Sequence, residues 1–179
     1  MAVLSEDRVY LYANESGTPQ VFGPYPNTRT FLRGAFDNSG NLYIIYEPQD
    51  STWQLLKFSS GTFTPVKLNQ SIPNSDAYSI QFYGATLILN FANTIFQIRV
   101  RGSSAKVVRK IILTGPKYIG GFIGGWLQGS TFISSTMNAT EKRYGIAFWA
   151  YPAGGHPTGK RIKSNSHVYS VIVSVPPSK

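Results

Sequence analysis

Cysteine is absent from all 179 residues. Disulfides and thiolate metal sites are therefore excluded, although the compartment is left open. Charge is also scarce, at 14% of residues against about a quarter in an ordinary domain. Histidine occurs only at His156 and His167. No window of 12 or more residues holds a capped apolar stripe of period 3.6, so a helical protein is not expected. Met1–Tyr12 lacks a basic leader and meets acids at Glu6 and Asp7, so no signal peptide is expected in this chain. Residues 77–98 and 118–140 carry no charge, and their length is that of a membrane span. The first is broken by Gln81, Asn90, Asn93 and Gln97. The second has a Gly-rich start, including a Gly121/Gly125 spacing, and a Ser/Thr-rich end. Both read as sheet strands, and no membrane span is expected.

What is present is aromatic and turn-rich: 11 Tyr, 11 Phe, 17 Gly and 11 Pro. A chain of this length supports one domain with a core of its own. Runs rich in β-branched and aromatic residues occur at 41–46, 87–91, 95–101, 106–113, 146–151 and 168–175. Ile98-Arg99-Val100-Arg101 alternates apolar and cationic side chains, the period of a half-buried strand. Asn38-Ser39-Gly40, Ser59-Ser60-Gly61, Arg101-Gly102-Ser103 and Ala153-Gly154-Gly155 punctuate the runs as turns.

A repeat lies under this punctuation. Gly40, Gly84 and Gly129 each lead into an apolar strand, at spacings of 44 and 45 residues. Tyr78–Phe82 is echoed by Tyr169–Val173, and each unit holds about four strand-like runs. A period of 40–50 residues with four strands is that of a propeller blade. A blade is apolar on both faces, so a ring of blades buries what one sheet cannot. The expectation is an all-β single domain over 1–179, a small four-bladed β-propeller. Its units run over about 29–74, 75–117, 118–166, and 167–179 joined to 1–28. In the last of these, Val168–Val175 would sit inside Arg8–Asn14 and Gln20–Tyr25, closing the ring. The competing architecture is a β-sandwich or jelly roll.

Asp37-Asn38-Ser39-Gly40-Asn41-Leu42-Tyr43 resembles the D-x-x-G-N-L-Y turn of NHL-type and related β-propeller repeats. The units at Gly84 and Gly129 keep the glycine and the apolar strand but lose the Asp and the Asn. The resemblance implies a binding scaffold in most cases, and in some an enzyme with metal-binding acids in the central channel. Eight acids in the whole chain are too few to supply such a channel from every blade.

Candidate chemistry is sparse. Gly154-Gly155-His156-Pro157-Thr158-Gly159-Lys160 has the GxxxxGK spacing of a phosphate loop. Arg161 stands where a Ser or Thr would hold Mg²⁺, no helical pattern follows, and Pro157 removes an amide donor. A basic hairpin loop is the reading. No nucleophile motif surrounds any serine, and the two histidines make a poor metal pair. Asp37, Glu47, Asp50 and Asp76, with His156 and His167, are the groups that a propeller-type hydrolase would have to bring together. Asp37 reads more simply as the turn residue of an Asp-x-x-Gly hairpin. Sequons at Asn14, Asn69 and Asn138 permit glycosylation without arguing for it.

The charge distribution says most. Residues 1–76 hold five basic and seven acidic side chains, net −2, and residues 77–179 hold twelve and one, net +11. Such asymmetry points to an anionic partner or a charged assembly contact. The basic groups are Arg99, Arg101, Lys106, Arg109, Lys110 and Lys117, then Lys142, Arg143, Lys160, Arg161 and Lys163. Both are expected on one flank, as the site for an anionic glycan or an acidic protein surface. Trp53, Trp126 and Trp149 are the candidate stacking platforms for a glycan. The function expected is a non-catalytic binding or assembly module at a virion or extracellular surface, without cofactor or metal. Homo- or hetero-assembly is compatible with it. A nucleic-acid-binding protein is the alternative, with Phe96, Tyr118, Tyr144, Phe148, Trp149 and Tyr151 as aromatics near the cations.

Overall fold

A computed structural model describes residues 1–13, 16–49, 53–72, 77–91, 93–115, 121–138, 143–158 and 161–164. Among these the regular structure is all β, in fifteen strands. The first unit holds β1 (Ala2–Ser5), β2 (Arg8–Leu11) and β3 (Gln20–Phe22). The second holds β4 (Thr28–Phe36), β5 (Leu42–Pro48), β6 (Gln54–Ser59) and β7 (Thr62–Leu68). The third holds β8 (Ala77–Tyr83), β9 (Thr86–Phe91), β10 (Thr94–Arg101) and β11 (Ser104–Ile112). The fourth holds β12 (Gly121–Gln128), β13 (Thr131–Asn138), β14 (Arg143–Ala150) and β15 (Arg161–Ser164). Every unit is an antiparallel meander, each strand pairing with the next along the chain.

The repeated glycines do the same local work. Gly40, Gly84 and Gly129 each lie in the turn between the first and second strands of their unit, at φ of 78°, 58° and 56°. That left-handed region is open to glycine at little cost, which explains the 44–45 residue recurrence. In the first of these turns Asp37 Oδ1 accepts from the amides of Ser39 and Asn41, both at 2.9 Å. Asp37 Oδ2 accepts from Asn41 Nδ2 at 2.8 Å. Burial raises the Asp37 pKa, but the Asn41 side chain, the Asn41 and Ser39 amides and the Lys57 charge outweigh it, leaving the carboxyl below its ordinary 3.8.

The units stack as a curled arc. The first strands lie side by side: β4 against β1 and β8, and β8 against β12. Three cores fill the joints. One, built from Val9, Phe31, Leu42, Ile44, Tyr46, Leu56 and Phe58, joins the first and second units. Another, with Ile45, Trp53, Leu55, Leu87, Leu89, Phe96 and Ile98, joins the second and third. The last, with Ile88, Ile95, Ile111, Leu127, Phe132 and Trp149, joins the third and fourth. The central strands of the middle units are accordingly buried on both faces, Leu42–Tyr46 without interruption. This is the pattern of a sheet covered front and back.

Two polar clasps supplement the packing. Buried Gln81 on β8 donates from Nε2 to the Leu127 carbonyl and accepts at Oε1 from the Leu127 amide, each at 3.0 Å. One side chain thus closes both backbone groups of a strand in the next unit. At the other end of that joint, the Gly155 amide donates to the Ile112 carbonyl at 2.9 Å and the Thr114 amide to the Gly155 carbonyl at 2.7 Å. Gly154 (φ 72°) there lies so close to β11 that a Cβ would meet Ile111 Cγ2 and the Ile112 carbonyl, each at 2.6 Å. The Gly-Gly pair of the GxxxxGK stretch therefore serves backbone contact between units, as a hairpin loop should.

The N-terminal unit departs from expectation. β2 has β1 on one edge and β3 on the other, so the place beside Arg8–Leu11 assigned to Val168–Val175 is filled by Ala2–Ser5. The closing strand 168–175 itself lies outside the described residues. No helix among the described residues is long and apolar enough to cross a membrane. The two uncharged stretches hold β8, β9 and the start of β10, and β12 and β13.

Candidate anion-binding groove

The middle units are joined in an unusual way. Where β7 ends and β11 begins, the outermost strands of the second and third units pair in parallel, Lys67 opposite Ser104 and Leu68 opposite Ala105. The two four-stranded meanders become one eight-stranded sheet. The Lys67 amide donates to the Ser103 carbonyl at 2.8 Å, and the Asn69 amide to the Ala105 carbonyl at 3.0 Å. Asn69 Oδ1 accepts from the Val107 amide at 2.8 Å. The Asn69 sequon is thus part of the splice.

Alternation along the spliced strands sets the electrostatics. Leu68, Ala105, Ile98 and Val100 turn into the core. Lys67, Arg99, Arg101 and Lys106 point the other way and line an open groove of about 500 Å³ with Asn69 and Ser104. Arg99 stands directly opposite Lys106, and Arg101 opposite Ser104. Like charges at facing positions of an antiparallel pair oppose folding. Among the described residues no carboxylate lines the groove. Among the described residues, none of the four cations has an ion pair. The pairs Arg8–Asp7 (3.5 Å) and Arg29–Glu47 (3.3 Å) lie elsewhere. The sheet tolerates the repulsion because the side chains are solvated, and an anion in the groove would remove it.

The cationic surface continues along β11. A register shift between Gln97 and Ile98 leaves Val108 as the extra residue, so Arg109 faces Gln97 beside the Arg99–Lys106 pair. Gln97 Nε2 donates to the Tyr151 hydroxyl, which brings the fourth unit to this edge. Burial raises the Tyr151 pKa, the Gln97 hydrogen bond and Arg109 act against it, and Tyr83 adds to it. Lys110 departs from the groove: its Nζ lies 5.9 Å from the centroid of the Phe96 ring, a cation–π approach.

The expected sites divide as follows. Arg99, Arg101, Lys106 and Arg109 share one stretch of sheet, and Lys67, not singled out from the sequence, joins them through the splice. Arg143, Arg161 and Lys163 lie on β14 and β15 in the fourth unit. Lys117, Lys142 and Lys160 lie outside the described residues. The stacking expectation is corrected for two tryptophans. Trp149 is fully buried, with Nε1 donating to the Thr114 carbonyl at 3.2 Å. Trp53 is 6% exposed and stacks on Phe91 at 4.7 Å. Both rings fill joints between units, where a large flat side chain buries the most area. Trp126 alone of the three is exposed. Phe96 and Trp149 are core, as aromatics in strand patterns usually are.

The groups a hydrolase would need do not converge where they are described. Asp37 caps the β4–β5 turn, Glu47 lies near the far end of β5 beside Arg29, and His156 is exposed on the fourth unit's hairpin. Asp50, Asp76 and His167 lie outside the described residues. Among the described residues no three His, Asp or Glu side chains gather as a metal site.

No protein-family profile matches the chain, and no curated protein does. Solved structures do. A quinonprotein alcohol dehydrogenase-like protein from Bacteroides thetaiotaomicron superposes with a TM-score of 0.55 at 11% identity, over 91% of this chain and 46% of its own. Kluyvelomyces marxianus Hsv2 gives a TM-score of 0.49 at 11% identity, over 79% of this chain and 46% of its own. The chain thus spans less than half the length of the solved chains it resembles. The likeness to the first shows a propeller-type all-β fold and nothing about chemistry.

Proposed function

We propose that this chain is a non-catalytic binding or assembly module, four blade-like units whose spliced middle pair holds an anionic partner. The observation that carries the reading is the groove of Lys67, Arg99, Arg101 and Lys106, which has no acid in its lining among the described residues. Arg101 and Arg99 can each offer a planar fork to a sulfate, carboxylate or phosphate, with Lys67 and Lys106 as point charges beside them. The groove is open and shallow, which suits an extended polyanion such as an acidic glycan or an acidic protein segment better than an enclosed small molecule. A virion or cell surface is the setting we favour, because the chain is rich in Tyr, Asn, Ser and Gly, and Gly, Ser and Asn recur in its turns.

The test is binding of a sulfated oligosaccharide and of single-stranded DNA at two salt concentrations. The R99A/R101A double variant is compared with K57Q, which also loses positive charge but away from the groove. The reading expects at least tenfold weaker binding for the double variant and little change for K57Q. Equal weakening in both would reduce the groove to net charge and overturn it. Preference for DNA, with a log–log salt slope of about −3 as four phosphate contacts require, would move the protein to the nucleic-acid class.

A further inference from the structure

Among the described residues the middle units bury both faces, while the first and fourth units each bury only one. On the first unit's other face, Val3, Tyr10 and Val21 form one cross-strand row, with Val3 42% and Val21 48% exposed. On the fourth unit's other face, Trp126, Ile133 and Phe148 form a row, and Ile146 pairs with Ile162 beside it. Trp126 is 37% and Ile162 55% exposed, and a hollow of about 570 Å³ opens among Gln128, Thr131, Ile133, Phe148 and Thr158. Each end therefore has the apolar surface that a neighbouring blade would cover.

We propose that a second copy of this chain covers both ends, head to tail, the first unit of each copy packing against the fourth unit of the other. Three observations select this occupant. The ends are different surfaces, so they can satisfy each other without any third component. They are also opposite in charge. Among the described residues the first unit holds Glu6 and Asp7 against Arg8, a side-chain net of −1, and the fourth holds Arg143, Arg161 and Lys163 with no acid, net +3. Like ends repel and unlike ends attract, which disfavours a first-to-first or fourth-to-fourth contact. Finally, 91% of this chain superposes on 46% of a solved chain of propeller type, so a second copy would supply about the length that remains. A heterologous contact repeated by a half-turn closes after two copies, whereas other rotations give larger rings or open fibres. The product is one ring of eight units with no exposed blade face.

Sedimentation of the wild-type chain comes first: a species of twice 19.8 kDa is expected, weakening as salt rises. Two variants then separate the ends. V3K/V21K disables the first face and I162K/F148K the fourth, both by placing charge on side chains outside the joints between units. Each variant alone is expected to be monomeric, and the mixture is expected to give a heterodimer through the one intact pair of faces. R99A/R101A, which disables the groove, is expected to leave the mass unchanged. A wild-type monomer at every concentration overturns the proposal even if neither variant folds. So does self-association of either variant, which would mean that like faces meet.

Discussion

Gln81→Leu removes the amide that spans the third and fourth units while keeping the side chain's approximate volume. Gln81 is 6% exposed, and its two hydrogen bonds to Leu127 are both 3.0 Å long. Leucine leaves the Leu127 amide and carbonyl without those partners in a buried joint. Each orphaned group costs about 1–3 kcal/mol, partly recovered by the added apolar contact. A net loss of about 2–4 kcal/mol follows, which lowers Tm by roughly 4–16 °C for a domain of this size. Circular dichroism melts measure it, and amide exchange at Leu127 localises it. Gln81→Glu sharpens the argument. Its carboxylate can accept from the Leu127 amide but repels the carbonyl, whereas the protonated acid can donate. The folded state therefore favours the proton, and the variant loses stability as pH rises above about 4.3. A Gln81→Leu protein melting within 1 °C of wild type would refute the clasp.

Gly125→Ala places a methyl group against the Phe132 ring, and the overpacking is expected to cost about 1–3 kcal/mol, read by urea unfolding. Asp37→Asn removes a carboxyl whose folded pKa is depressed, so its stabilisation is present above pH 3.8 and lost as pH falls through the lower folded value. The gap in Tm between wild type and Asp37→Asn should be widest near neutrality and narrow below pH 4. Gly154→Ala must leave a φ of 72° or push against Ile111 and Ile112, and a Tm drop with faster exchange at Thr114 is expected. Arg99→Glu is expected to abolish polyanion binding while raising Tm slightly, because it turns the repulsive pair with Lys106 into an attractive one.

The all-β character and the recurring turns are legible because they are written in local signals. Gly40, Gly84 and Gly129 recur where positive φ is needed, and Ile98–Arg101 alternates because one face is wet. β1 was missed. Ala2–Ser5 is four residues long and flanked by no turn signal other than the Glu6-Asp7 acids, and its role comes from packing against β4. Lys67 was missed for a related reason. Its place in the groove depends on a two-residue parallel splice between strands nearly 40 positions apart, which no local spacing encodes. Trp53 and Trp149 were misplaced because ring size signals value to a core and to a binding face alike. Burial of the partner positions decides between them, and that is a property of the folded arc.

The splice between β7 and β11 has a kinetic consequence. It ties strands β4 to β11 into a single lattice of main-chain hydrogen bonds, whereas the outer units hang on by side chains and a few clasps. Opening of the central lattice requires eight strands to part together. Detachment of a wing requires only one joint to give. Hydrogen exchange should resolve two tiers, a slow centre and faster wings, with the anion site set in the slow tier, where its geometry outlasts fluctuations at either tip.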